Sequence, residues 1–430
     1  MHSQPGAGGR TGVSSAARPG TPSLLRELND RAALELLLRG EPLTRSQLSE
    51  LTGVSKVTVS QMLARLEERG LVATVGEQAG GRGPNAALYS VVPSSAYVAA
   101  LYVESDLVAT AVADVTGRII AEAREDPNGS GDPVELVVSA VDRACARAGV
   151  PVGQLSAFVI GSPGVVDPRT GDPHLAVNLP AWHEGVLGAL RGALRRPVVI
   201  ENDVNLAAMA EHAIGAAAGT DDFALVWLGV GLGLATVLGG RLHRGAAGAA
   251  GEIGYLPVPE APMQEDIRHP ATGGLQWLAG AGVIRMLASA FGFTAPAAGE
   301  AVRTAVAAAG EAGDEAAASH APAPPSSVSA SPNGASERAR EFLGELAHRV
   351  ALGVASVCAV LDPGLVVLGG EVGLAGGTAL AGRVAAEVAR ICPARPRVVP
   401  TAVTAEPVLR GALLAAVEQA RADLLESVAG

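Results

Sequence analysis

Aromatic residues make up only 3% of the 430-residue sequence, and cysteine occurs three times. With so few rings the core must be filled by Ala, Val and Leu, because hydrophobic residues still account for 48% of the chain, a share that excludes a mostly disordered protein. Cys145, Cys358 and Cys392 lie far apart and follow no metal or disulfide spacing. They are expected as small buried side chains, neither a disulfide framework nor a metal site. No run of roughly 18 apolar residues is free of Gly, Pro and charge, so no membrane association is expected. The Gly/Ser/Ala-rich start lacks the apolar stretch of a secretory leader, and a cytoplasmic location is expected. Basic residues are also scarce: 32 Lys and Arg stand against 43 Asp and Glu, for a net charge of −11. That balance excludes a surface coated for non-specific nucleic-acid binding, while leaving room for a small local DNA-binding face.

What is present divides into segments. Residues 1–21 read as a flexible tail. Residues 22–92 carry three helical patterns and a hairpin. Leu24, Leu28, Leu34 and Leu38 mark a first helix closed by Gly40. Thr44-Arg-Ser-Gln47 has the form of a capping box and opens a short second helix. Gly53-Val54 makes a turn, and Ser55 caps a third helix with the stripe Val59, Met62, Leu63, Leu66. Leu71–Val75 and Ala86–Val92 flank a Gly-rich turn. From residue 97 to 430, strands alternate with helices, which is an α/β pattern. Its two hairpin-led halves, Tyr97–Asp114 and Phe223–Leu238, point to an internal duplication. Residues 294–336, rich in Ala, Pro, Ser and Glu, read as a disordered surface insertion. Glu337–Leu361 resumes as a long helix before a buried strand, Leu365–Gly370.

Helix, Gly-containing turn, second helix and hairpin make a winged helix-turn-helix, whose second helix presents its first residues to the major groove. Those residues are Ser55, Lys56, Thr58, Ser60 and Gln61. None is acidic, and Gln61 has the amide geometry to pair with adenine. Lys56 and Arg65 are the only charges between Gly53 and Leu66, so this face is locally positive. Arg82, between glycines at the wing tip, suits a narrow minor groove or a phosphate. The expected partner is double-stranded operator DNA; a small helical protein-interaction domain is the alternative.

Further on, Gly161-Ser-Pro-Gly-Val-Val-Asp167, Asn178-Leu-Pro-Ala-Trp182 and Glu201-Asn-Asp203 combine a buried strand, a Pro-Gly turn and a second strand ending in a carboxylate. A turn and helix cap before Leu206 would account for Asn202-Asp203 taken alone. With Gly245-Ala-Ala-Gly-Ala-Ala-Gly-Glu-Ile-Gly254 and Leu361-Asp-Pro-Gly-Leu-Val-Val-Leu-Gly-Gly370, however, five motifs in order resemble the ROK family, and within it the winged-helix regulators of the xylose- and N-acetylglucosamine-repressor type.

The resemblance implies a two-lobed actin-like, sugar-kinase-like α/β domain behind the DNA module, with a sugar or sugar derivative in the cleft. It implies sugar contacts at Gly164, Asn178, Asn202, Asp203 and Glu252, Asp203 being the general base in the family's kinases. Two departures matter. Where those kinases carry a phosphate-cradling Asp-Ile-Gly-Gly-Thr-Lys, this sequence has Tyr102-Val-Glu-Ser-Asp-Leu107, which places Glu104 and Asp106 where ATP phosphates would lie. The family's zinc cysteines are missing around His269, Tyr255 stands in place of a ligand His, and Gln276 replaces a Glu that touches sugar. Tyr255 and Gln276 are expected as hydroxyl-binding substitutes, with no zinc, no other metal and no cofactor. The expectation is a DNA-binding transcriptional regulator, a repressor of carbohydrate-related genes, without enzymatic activity and assembled as a homodimer or homotetramer. The alternatives are a pocket that is dead or read by a partner protein, and a DNA-tethered sugar kinase.

Overall fold

Helix caps organise the first part of the chain. The computed structural model describes residues 22–79, 85–104, 107–127, 132–174, 185–267, 272–311 and 332–429. Described residues up to Ser95, together with those from Arg421 onward, form one compact unit, and Ala96–Ala420 hold the other. The first begins with α1 (Pro22–Leu38), β1 (Leu43–Thr44), α2 (Arg45–Thr52) and α3 (Lys56–Glu68), followed by β2 (Val72–Gln78) and β3 (Ala86–Val91). Thr44 accepts from the Gln47 backbone, and the Gln47 side chain accepts from Thr44 N at 2.8 Å, which is the expected capping box. Gly53 ends α2 in the left-handed region (φ 73°) and turns the chain into α3, where Ser55 caps by accepting from Thr58 N. Val59, Met62, Leu63 and Leu66 are buried, as their spacing requires. The strands pair antiparallel in the order β1-β3-β2 and complete a winged helix-turn-helix.

Two expectations about this unit change. Leu24 and Leu28 are 44% and 51% exposed, and Ala33, Leu34, Leu37 and Leu38 form the buried face of α1 instead. At about 100° per residue, Leu24 and Leu28 fall to the side of that arc. The residues from Arg421 onward, expected with the sugar domain, group with the first unit, where the Arg69 guanidinium donates to the Ser427 carbonyl at 2.7 Å.

The second unit holds two five-stranded sheets of identical topology. The first is built from β4 (Tyr97–Val103), β5 (Val108–Asp114), β6 (Ile119–Glu125), β7 (Leu155–Ser162) and, after the short β8 (Val165–Val166) and β9 (Pro173–His174), β10 (Val198–Asn202). The second is built from β11 (Phe223–Leu228), β12 (Leu232–Leu238), β13 (Arg241–Leu242), β14 (Leu365–Gly369) and β15 (Arg397–Pro400). The orders are β6-β5-β4-β7-β10 and β13-β12-β11-β14-β15. In each, an antiparallel meander continues into two parallel strands. The duplication read from the sequence is therefore present.

Helices α4 (Pro133–Ala148) and α5 (Val186–Leu194) cover the first sheet through Val137, Val141, Leu187 and Leu190. Helix α6 (Asp203–Ile214) starts directly at the end of β10. The second sheet packs on α7 (Gly274–Ala279), α8 (Ala281–Ala290), α9 (Ala298–Ala309), α10 (Pro332–Leu361) and α11 (Gly370–Ile391), and the chain closes with α12 (Pro407–Ala429). Part of α10, Gly334–Leu361, is long and apolar enough to cross a membrane by composition alone; here Phe342, Leu343, Leu346, Val350 and Val354 are buried against the second sheet's core. All three cysteines are buried.

The expected insertion at 294–336 is narrower. Helix α9 lies inside it, with Ala298, Ala301, Val302, Ala305 and Ala309 buried, and Glu311 pairs bidentately with Arg383. Its small side chains keep helical spacing, which a count of Ala and Glu alone hides. Residues 312–331 lie outside the described residues.

Candidate DNA-reading face and candidate sugar pocket

On α3 the predicted base-reading residues separate into two kinds. Ser55 and Thr58 bond each other through their hydroxyls at 2.9 Å, and Ser60 donates to the Lys56 carbonyl at 2.9 Å. These hydroxyls serve the helix first. Lys56 and Gln61 are exposed and long enough to reach outward. Lys56 is also the only lysine in the whole sequence. Val57, 69% exposed beside them, was not singled out from sequence. Its signal was available: it lies opposite the Val59/Met62/Leu66 stripe, where a Val has no core to join and suits the thymine methyl. Arg65 is a correction. Its guanidinium is committed to Asp30, Nε to Oδ2 at 2.7 Å and Nη2 to Oδ1 at 2.5 Å, and Asp30 is 7% exposed. The charge counted toward the positive face instead locks α1 to α3, and the positive character of the face rests on Lys56. Arg82 lies outside the described residues.

In the second unit, the junction of β10 and α6 gathers the candidate pocket. Asn202 caps α6: its side-chain oxygen accepts from Asn205 N at 3.0 Å, and its amide donates to the Gly164 carbonyl at 3.0 Å and to Asp203. The turn-and-cap reading of Asn202 thus holds, and its amide positions Asp203 against the Gly164 turn. Gly164 has φ 92°, so a side chain there would be strained. Glu201, 8% exposed, takes Asn202 N, Asn205 Nδ2 and, at 2.7 Å, Arg244 Nε. Arg244 was not predicted; it precedes the Gly245–Gly254 loop and ties that loop to β10.

The same loop delivers Glu252. Gly251, with φ 110°, accepts from Leu234 N at 2.8 Å; an added Cβ would stand 1.9 Å from the Leu234 carbonyl oxygen. The close approach holds the Glu252 backbone at the edge of β12.

Charge is concentrated at this pocket. Burial, with Glu104 and Glu252 nearby, pushes the Asp203 carboxyl up to about 7, against the bond it accepts from Val204 N. Burial likewise raises Glu252. The Tyr102 hydroxyl donates to Glu104, and burial together with the charges of Asp203 and Glu104 keeps that phenol protonated well above its ordinary range. Tyr102 and Glu104 therefore form a hydrogen-bonded pair whose charge acts on Asp203. Residues 105 and 106, hence Asp106, lie outside the described residues.

Two predicted hydroxyl binders are corrected. Gln276 accepts from Leu232 N at 2.9 Å and donates to the Val230 carbonyl at 3.1 Å, so both ends of its amide brace the β11–β12 turn. Tyr255 donates to the Ile267 carbonyl at 2.8 Å and straps the following loop. A polar side chain beside a glycine turn is as useful to unpaired backbone as to a sugar, which sequence alone does not separate. Asn178 and His269 lie outside the described residues. Among the described residues no three His, Cys, Asp or Glu side chains group as metal ligands would. Of the predicted contacts among the described residues, Asp203 and Glu252 are the carboxylates able to accept from a hydroxyl.

Gly370, which ends the Leu361–Gly370 motif, has φ 76°, and a Cβ there would stand 2.4 Å from the Leu228 carbonyl oxygen. Close packing of β14 on β11 explains that glycine without a nucleotide.

Comparison with known proteins agrees with this architecture. A MarR family model matches residues 28–83. The xylose repressor of Caldicellulosiruptor bescii is 25% identical over 253 residues, 58% of this chain and 62% of that protein. The DNA-binding transcriptional dual regulator NagC of Escherichia coli is 27% identical over 247 residues, 56% of this chain and 60% of that protein. The matches thus span about 60% of the length of these curated relatives. A crystal structure of a ROK family transcriptional regulator, a homologue of the E. coli MLC protein, shares the fold over 94% of this chain and 99% of its own, with TM-score 0.65 and 16% identity. The ROK hexokinase of Thermus thermophilus covers 74% of this chain and 97% of its own, with TM-score 0.55 and 26% identity. A ROK family model matches residues 100–417, which takes in both duplicated sheets and the Asp203 pocket, and the chain belongs to the ROK family.

Proposed function

We propose that this protein is a DNA-binding transcriptional regulator, a repressor of carbohydrate-related genes, whose effector is a carbohydrate held by Asp203 and Glu252. The observation that carries the sensor reading is the Tyr102–Glu104 hydrogen bond, which keeps a carboxylate close enough to raise Asp203. A carboxylate near neutrality beside a hydroxyl can act as a general base, but phosphoryl transfer also needs a cradle for the donor's negative charge. Here a carboxylate occupies that end, and ATP turnover is not expected. The relatives named xylose repressor and NagC support the carbohydrate class, and the winged helix with Lys56 and Gln61 exposed supports operator DNA as the partner. Effector binding acts by favouring one conformation of the sugar domain, and with it one spacing of two DNA modules in a homodimer or homotetramer. The setting is cytoplasmic. The test is ATP consumption by purified protein across a sugar panel: none should depend on Asp203, whereas sugar-dependent turnover lost in Asp203→Ala would make it a kinase.

A further inference from the structure

We infer that the second unit carries another small-molecule site, adjoining the Asp203 pocket through Glu104 and selective for a small organic cation. A cavity of about 490 Å³ is lined by Trp227, Gly229, Arg285, Pro296, Glu104 and Glu371 among others. That volume falls within the roughly 300–1,000 Å³ of ordinary ligand pockets. Neither Asp203 nor Glu252 lines it.

Its walls come from rigid elements. Trp227 is on β11, Arg285 on α8 and Glu371 in the first turn of α11, while Glu104 follows β4. The indole is set by two glycines: a Cβ on Gly229 would meet Trp227 Nε1 at 2.9 Å, and one on Gly369 would meet the ring at 3.2 Å. Each charged group has one end engaged. Glu104 Oε1 takes the Tyr102 hydroxyl, Glu371 Oε2 takes Gly299 N at 3.4 Å, and Arg285 Nη1 donates to the Pro296 carbonyl at 3.1 Å. Among the described residues, Glu104 accepts through Oε1 alone and Glu371 through Oε2 alone.

Two carboxylates against one guanidinium leave the cavity with a net charge of −1. A nucleotide would bring several negative charges against Glu104 and Glu371. An ammonium ion gains from the two carboxylates, and Trp227 in the same wall offers an aromatic ring of the kind that attracts cations through its quadrupole. A cation held at Glu104 would also relieve the repulsion on Asp203, so the cation and a hydroxyl ligand would bind with positive coupling. That coupling rests on the carbohydrate reading; the cation site does not.

The test uses the full chain with Trp182→Phe and Trp277→Phe, so that fluorescence reports Trp227 alone. Choline, ethanolamine, tetramethylammonium and ATP with Mg²⁺ are titrated without sugar or DNA, which separates this result from the fate of the sensor reading. At least one ammonium compound should give a saturable change, weakened ten-fold or more in Glu371→Gln and in Glu104→Gln, with ATP giving none. The inference is overturned if no ammonium compound gives saturation, if affinity is unchanged in either variant, or if ATP binds there instead. Matching melting temperatures of the variants and parent exclude misfolding as the cause of lost binding.

Discussion

Replacing Asp203 by Asn should stabilise the ligand-free protein, increasingly as pH rises. The carboxyl is pushed from its ordinary 3.8 up to about 7 by burial and by Glu104 and Glu252. A raised acid binds more protons folded than unfolded between those values. Its favourable contribution is complete below about 4 and is lost as pH climbs through 7. The shift is about 3 units at ~1.4 kcal/mol each, so the full cost of holding Asp203 ionised is on the order of 4 kcal/mol. The amide keeps the bonds from Val204 N and Asn202 Nδ2 that Oδ1 accepts, so the exchange removes charge with little change in shape. From pH 6 to 8.5, away from the isoelectric point near 5.3, the advantage of Asp203→Asn should widen by about 1.4 kcal/mol. Urea unfolding followed by tryptophan fluorescence reads this, since Trp182, Trp227 and Trp277 all fall between residues 97 and 430. Parallel stability curves for the two proteins, or a variant less stable at pH 8.5, would refute the charge-repulsion reasoning.

A hydroxyl that donates to Asp203 favours its ionised form, so effector binding should release protons near pH 7 and tighten by up to about ten-fold from pH 6 to 8; calorimetry in buffers of different ionisation enthalpy measures both. Arg65→Ala leaves Asp30 unpaired and should destabilise the first unit by about 2–3 kcal/mol, discounted for the partly exposed guanidinium, with the salt dependence of DNA binding unchanged. Lys56→Gln should instead lower the slope of log K against log salt by about 1 with stability unaltered, and Gln61→Ala should reduce discrimination between operator and random DNA. Gln276→Ala leaves Leu232 N and the Val230 carbonyl unpaired and should cost about 1–3 kcal/mol in thermal or urea unfolding.

Periodicity and caps make the winged helix legible in the sequence: Thr44 and Ser55 cap as their sequence context demands, and the Val59–Leu66 stripe is buried. The strand–turn pattern gave both halves of the duplication. Less legible was what polar side chains do once folded. Arg65 finds Asp30 across 35 positions, and Gln276 finds the backbone of residues 230–232 across more than 40. Such pairings leave no local spacing signal. Glu211 is a further case: within α6 it reads as a surface Glu, yet it is buried and takes Ala402 N and Val403 N at 3.1 and 3.0 Å. Ala298–Ala309 was hidden for a different reason, since small residues at helical spacing resemble low-complexity linker until their partner helices are known.

Operator binding with and without carbohydrates is the most direct measurement of the central claim. Duplexes selected by this protein from a random pool serve as the operator, and fluorescence anisotropy at fixed salt follows binding across a panel of sugars and sugar phosphates. At least one carbohydrate should weaken operator affinity, and Asp203→Ala should abolish that response while keeping the affinity of the sugar-free protein. If no carbohydrate changes operator binding, the Asp203 pocket is not a sugar sensor.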